Sequence, residues 1–269
     1  MNAFKHLLGA AGAHAPIGTW ISSASPLVAE AVADAGFDWG VMDMEHSPLD
    51  LMDLVHLLQA VAASRMVPVV RVPWNDKVTI KRVLDAGATT LLVPFVQNAE
   101  EAARAVAAAR YPPEGERGMS GAGRASKFGT TANYLRTANR EIAVIAQIET
   151  VQAVGQLEAI AAVPGVDALF LGPANLSASM GHVGQLTHPA VMDLMADVVL
   201  RCRAAGKPVG AIGGTPEAVA QYRAIGFDFL AIASDLGLLI QGAQAVIAAL
   251  RTPGGMHVHT LASGTETSA

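Results

Sequence analysis

The chain has 269 residues, 52% of them hydrophobic but only 5% aromatic, and a formal net charge of −5. That length suits one large α/β domain, and an apolar fraction in which much of the character is Ala suits helices packed closely on a sheet. The negative balance and the lack of any basic run exclude a nucleic-acid partner, and a single cysteine, Cys202, excludes an intramolecular disulfide and suits the reducing cytoplasm.

Near the start, "HLLGAAGAHA" makes a poor signal segment, because Gly and His interrupt it and a strand follows at once. The uncharged run from His6 to Ala29 has the length of a membrane span. Gly, Pro, His and Ser break it into strand, loop and helix, so no membrane association is expected. Short β-rich runs then alternate with segments of helical period. The strands fall at 17–22, 39–45, 67–72, 90–96, 142–149, 168–173, 208–213 and 229–234. Helices are predicted over 26–35, 50–63, 76–86, 98–109, 150–162, 188–205, 215–225 and 235–250. "ADAGFDW", "LDAGATT", "RAAGKPV" and "RAIGFDF" share one grammar, a helix ending in Gly with a strand a few residues later. Eight such β–α pairs with near-continuous apolar strands predict a closed (β/α)₈ TIM barrel over residues 1–251; a doubly wound open sheet is the alternative. Residues 252–269 are expected to form a flexible tail, in which His257 and His259 at i, i+2 are less suited to metal binding than to a mobile end.

One connection breaks the rhythm. From Tyr111 to Arg140 the chain is rich in Gly, Ser and Arg, and its interleaved Arg, Lys, Tyr and Phe predict an ordered, site-facing insertion. Arg117, Arg124 and Lys127 in it would meet a distal carboxylate of a substrate or a subunit contact.

A barrel of this kind carries its site at the C-terminal ends of the strands. Those ends hold Trp20, then Asp43, Glu45 and His46, then Arg71, then Gln147 and Glu149, and finally Gly172-Pro173-Ala174-Asn175. Taken singly, each has a structural alternative. Asp43, Glu45 or Glu149 would cap a helix, His46 would sit in the core, and Arg71 would pair with one of the acids. Taken together, five strands aim polar groups at one mouth, where buried ionisable groups must be paired or coordinated.

The blocks "FDWGVMDMEHSP", "PVVRVPWND", "LDAGATTLLVPFVQNAEEA", "RYPPEGERG", "AQIET" and "GVDALFLGPANLSASMG" resemble the HpcH/HpaI aldolase family, in order, from about residue 4 to 250. That family comprises class II, metal-dependent pyruvate aldolases of the 4-hydroxy-2-oxo-heptanedioate type, active in aromatic catabolism. The resemblance implies cleavage of a 4-hydroxy-2-oxo acid to pyruvate and an aldehyde through a metal-bound enolate. It implies Mg²⁺, Mn²⁺ or Co²⁺ as the metal and no organic cofactor. It also implies a homohexamer, a trimer of dimers, with the C-terminal helix exchanged between protomers. By resemblance, Glu149 and position 175 hold the metal, His46 is the catalytic histidine and Asp43 the acid near it. Arg71 faces the keto oxygen, and Asp85 reaches a neighbouring subunit's site to orient the histidine there. Gln147, Gly172, Pro173 and Ala174 form the pyruvate pocket, walled by Trp20 and Ile212. A citrate-synthase-like or lyase reaction on a related acid, or a barrel that binds 2-oxo acids without turnover, are the alternatives. No lysine falls at a strand end, which disfavours Schiff-base chemistry.

The pattern fails at one position. The family's "GPADLS" reads "GPANLS" here, so Asn175 brings an amide oxygen where a carboxylate is expected. Three readings are open: metal bound mainly with substrate, a site altered to trap a complex or change activity, or a barrel specialised for another carboxylate reaction.

Overall fold

Eight parallel strands close on themselves in sequence order: β1 (Ile17–Ile21), β2 (Trp39–Asp43), β3 (Val67–Arg71), β4 (Thr90–Val93), β5 (Ala143–Ile148), β6 (Ala168–Leu171), β7 (Val209–Gly213) and β8 (Phe229–Ser234). This computed structural model describes residues 2–10 and 15–251. The expected tail at 252–269, with His257 and His259, lies outside the described residues. Around the barrel run α1 (Ala3–Ala10), α2 (Pro26–Asp34), α3 (Leu51–Ala60), α4 (Lys77–Asp85), α5 (Ala99–Ala109), α6 (Tyr134–Glu141), α7 (Val151–Val154), α8 (Leu157–Ala161), α9 (Pro173–Ser179), α10 (Pro189–Ala204), α11 (Pro216–Ile225) and α12 (Asp235–Arg251). The predicted TIM barrel is thus the observed fold, and the open-sheet alternative falls. No described helix is long and apolar enough to cross a membrane.

Two apolar layers form, because alternate strand residues point to opposite faces. Inside the barrel, Trp39, Phe170, Phe229 and Trp20 pack edge to face or tilted, with ring centroids 5.5–6.3 Å apart. Outside, the other face meets the helices through a continuous layer of Leu, Val, Ile and Ala. Helix ends follow the sequence grammar: Gly36, Gly87, Gly206 and Gly226 all take the left-handed conformation.

Four differences from expectation have local causes. The first helix, α1, was not anticipated. Asn2 anchors it by donating to the carbonyls of Thr89 and Glu141, both at 2.9 Å, and Phe4 is wholly buried against Trp39 and Phe229. It closes the barrel's N-terminal end. The second strand stops at Asp43, not at residue 45, because Asp43 Oδ1 accepts from the backbone N–H of Glu45 (3.0 Å) and His46 (3.3 Å), turning the chain. The helix expected over 150–162 breaks into α7 and α8 at Gly155. The stretch after Gly172, expected as a loop, is α9, started by Pro173 at a first-turn position where a missing N–H costs nothing.

The Tyr111–Arg140 insertion is ordered but does not face the site of its own barrel, which corrects the expectation. It joins the end of α5 to β5, and helix-to-strand connections lie at the N-terminal face, opposite the mouth. Arg117, buried over the Tyr111 ring at 4.4 Å, donates to Asp85 Oδ1 at 2.6 Å, and Arg124 donates to the Ala86 carbonyl at 2.7 Å. The insertion is therefore pinned to the end of α4.

Candidate active site

At the C-terminal mouth lies a cavity of about 420 Å³. Its lining includes Trp20, His46, Arg71, Gln147, Glu149, Gly172, Pro173, Ala174, Asn175 and Ile212, so it gathers most of the strand-end residues expected. No lysine lines it.

Arg71 ends β3 directly beside Asp43, its register partner on β2. The pairing is a planar fork: Nε donates to Asp43 Oδ1 at 2.8 Å and Nη2 to Oδ2 at 2.7 Å. The third nitrogen, Nη1, lies 2.9 Å from Glu45 Oε2. The Trp20 ring sits 5.6 Å from the guanidinium carbon, a cation–π contact between two buried side chains. An arginine has five N–H donors, so the two carboxylates leave some of its hydrogens free for a substrate oxygen.

Glu149 follows β5 and is 1% exposed. Its Oε2 accepts from the Phe95 backbone N–H at 3.0 Å. Its Oε1 accepts from Gln147 Nε2 at 3.1 Å and from Asn175 Nδ2 at 2.8 Å. Such close approach requires glycine at 172, because a Cβ there would lie 2.6 Å from Glu149 Oε1. Phe95 reaches its position with φ at +51°, a conformation that bulky residues rarely take.

His46 is exposed at the rim rather than packed in the core, with Nε2 3.8 Å from Glu45 Oε2. Asp43 lies beside His46 through the backbone, but the carboxylate that meets the ring is Glu45. Burial pushes the Glu45 carboxyl above its ordinary range, Arg71 pulls it back, and Glu149 adds to the upward push. Asp85 is not at this mouth. It ends α4 at the opposite face, held by Arg117, so the chain does not bring it to its own His46.

Several lining residues escaped the sequence reading: Gly214, Ala233, Ser234, Gly237 and Gln241. The last two lie on α12, whose start is tied to β1 by Asp235, which accepts from the N–H of Ser22 (2.9 Å) and Ser23 (3.1 Å). Phe95 escaped too, since a backbone donor leaves no mark on residue type. Asp235 alone had a legible signal, an acid at the junction of the last strand and helix.

The residues present suit a hard divalent cation. Asp43 and Glu45 pair with one guanidinium, and Glu149, 1% exposed, has only neutral hydrogen-bond donors against its carboxylate among the described residues, the Phe95 N–H and the Gln147 and Asn175 amides. Gln147 Oε1 is a buried acceptor with no donor. Glu149 and the Asn175 amide oxygen are hard oxygen donors, the kind that Mg²⁺-type ions take with substrate and water completing the shell.

The family model of HpcH/HpaI aldolase/citrate lyase matches residues 16–242. The 2-dehydro-3,6-dideoxy-6-sulfogluconate aldolase of Pseudomonas putida is 49% identical over 237 residues, covering 88% of this chain and 93% of that protein. A pyruvate aldolase of Rhizobium etli is 48% identical over 252 residues, covering 94% and 98%. A crystal structure of a family member from Burkholderia cenocepacia superposes with a TM-score of 0.90 at 41% identity, covering 94% of this chain and 100% of that one. The chain therefore belongs to the HpcH/HpaI aldolase/citrate lyase family and is an aldolase-type lyase.

Proposed function

We propose that the protein cleaves a 4-hydroxy-2-oxo acid to pyruvate and an aldehyde, and runs the reverse addition, with a divalent metal such as Mg²⁺, Mn²⁺ or Co²⁺. The observation that carries this reading is one cavity lined by Glu149, Asn175, Gln147, Arg71 and His46, with no lysine for a Schiff base. Glu149 and Asn175 would hold the cation. When bound, it would supply a Lewis acid that draws electron density from the 2-oxo acid.

The chain's own residues do the rest. The free hydrogens of Arg71 point positive charge at the keto oxygen, where negative charge grows as the C3–C4 bond breaks and pyruvate enolate departs. Asp43 and Glu45 hold that guanidinium in place before reaction, so no reorganisation is needed at the moment of cleavage. His46 takes the proton of the 4-hydroxyl in cleavage and returns it in condensation. Gly172, Pro173 and Ala174 keep that wall small enough for the acid to approach the backbone, and Trp20 and Ile212 exclude water on either side.

Pyruvate release from 4-hydroxy-2-oxo acids, followed with a reporter dehydrogenase, tests this directly. Chelator should abolish it and Mg²⁺, Mn²⁺ or Co²⁺ restore it. Turnover after thorough chelation would overturn the metal requirement, and no pyruvate from any such donor would overturn the aldol reaction.

A cytoplasmic homo-oligomer, a hexamer built from dimers with α12 exchanged, completes the proposal. Its support is that α12 exposes Leu236, Leu239, Ile240, Val246, Ile247 and Leu250, an apolar face large for a free helix. Light scattering should give a mass near six chains. A monomer would refute it.

A further inference from the structure

We propose that Glu45 is a positioning residue, which fixes Arg71 and His46 relative to one another and is not a ligand of the cation. The inference rests on the aldol reading above. Glu45 lies two residues past the end of β2, and its side chain is only 8% exposed. One oxygen, Oε2, lies 2.9 Å from Arg71 Nη1 and 3.8 Å from His46 Nε2, so a single buried atom stands within ion-pair range of both the group assigned to the keto oxygen and the group assigned to the proton.

Charge neutralisation does not explain its presence. Arg71 already has a full counter-charge in Asp43, which takes Nε and Nη2 in a fork. Glu45 adds a second carboxylate, on the remaining nitrogen, in a place already crowded by like charge from Asp43 and Glu149. Its Oε2 accepts no well-aligned hydrogen bond, although it is buried. Burial raises its carboxyl, which means that its ionised form costs the fold stability above the ordinary carboxylate range. A buried charge kept at a cost beside two functional groups is the pattern of a site residue rather than of a structural ion pair.

The geometry gives it a task. Asp43 holds one edge of the guanidinium and leaves the Nη1 end able to tilt. Glu45 closes that end, and the same oxygen sets how far the imidazole swings from the rim towards the cavity. The two groups that must meet C2 and C4 of one substrate are thus tied to one atom.

The test compares Glu45→Gln, Glu45→Asp and Glu149→Gln with the wild type, each as full-length protein. Glu45→Gln keeps the size and removes the charge. We expect its kcat/KM for aldol cleavage to fall about 10–100-fold, the usual loss for partners that orient a site's working groups. Most of that loss should appear in kcat, the melting temperature should hold or rise, and Mn²⁺ affinity should stay within about threefold. Glu45→Asp, which keeps the charge, should recover part of the activity. Glu149→Gln should instead lose Mn²⁺ affinity by about tenfold or more. Unchanged activity in Glu45→Gln would overturn the proposal. So would an activity loss that tracks a drop in melting temperature, which marks a structural pair, or a loss of Mn²⁺ affinity matching Glu149→Gln, which marks a ligand. If the wild type itself releases no pyruvate, the aldol reading fails separately, and the Mn²⁺ and melting results still decide whether Glu45 is a ligand.

Discussion

Asn175→Asp is the most informative single change at this site. Asn175 Nδ2 donates to Glu149 Oε1 at 2.8 Å, so the substitution replaces a hydrogen-bond donor with a second carboxylate at contact distance. Two unit charges 2.8 Å apart repel by roughly 6 kcal/mol at an effective dielectric of about 20. Solvent, a rotamer change or uptake of a proton would return most of that, leaving a metal-free protein destabilised by about 1–3 kcal/mol. A dication placed between the two carboxylates reverses the sign. Affinity for Mn²⁺ should therefore tighten about tenfold or more, each decade being about 1.4 kcal/mol. Calorimetric titration of Mn²⁺ into both proteins, with oxalate present, measures this. Thermal melts in chelator and in excess Mn²⁺ measure the matching loss and gain of stability. Equal dissociation constants together with unchanged melting in chelator would refute the reasoning, because position 175 would then stand outside both the carboxylate pair and the coordination sphere.

Gly172→Ala should leave the barrel folded and lower kcat/KM about 10²-fold, since the new Cβ would meet Glu149 Oε1 at 2.6 Å and push it aside; full activity would show that the wall has slack. Cys202 is wholly buried in α10 and burial pushes its thiol up to about 12, so at pH 8 it is neutral and shielded. Iodoacetamide should label it only on unfolding, and rapid labelling of the native protein would contradict that. Glu158 is held down at about 2 by hydrogen bonds from Arg201, at 2.6 and 2.7 Å. Because the folded value lies below the ordinary 4.5, this pair contributes stability above that pH and loses it as pH falls towards 2. Glu158→Gln should flatten the acid limb of a stability–pH curve over that window, by a small amount because the pair is exposed to solvent; an identical limb would show that the pair contributes nothing measurable.

The amino-acid sequence by itself determined the barrel and which residues gather at the C-terminal ends of its strands. Strand period, helix period and glycine helix endings are local properties, and eight repeats of them fix which residues sit at strand ends. Trp20, His46, Arg71, Gln147, Glu149 and Asn175 were legible for that reason, and they line one cavity. Tertiary structure alone decided their partners. Arg71 meets Asp43 through the β2–β3 register, and Glu149 meets the Phe95 amide only because β4 and β5 are neighbours in the closed sheet. Closure likewise placed the insertion and Asp85 at the far face, and gave Phe4 a barrel end to fill. These are contacts between residues distant in the chain, set by register and by the direction of each connection. Residue type and spacing do not carry that information, since the same Asp, Glu or Arg satisfies its charge equally well in several places.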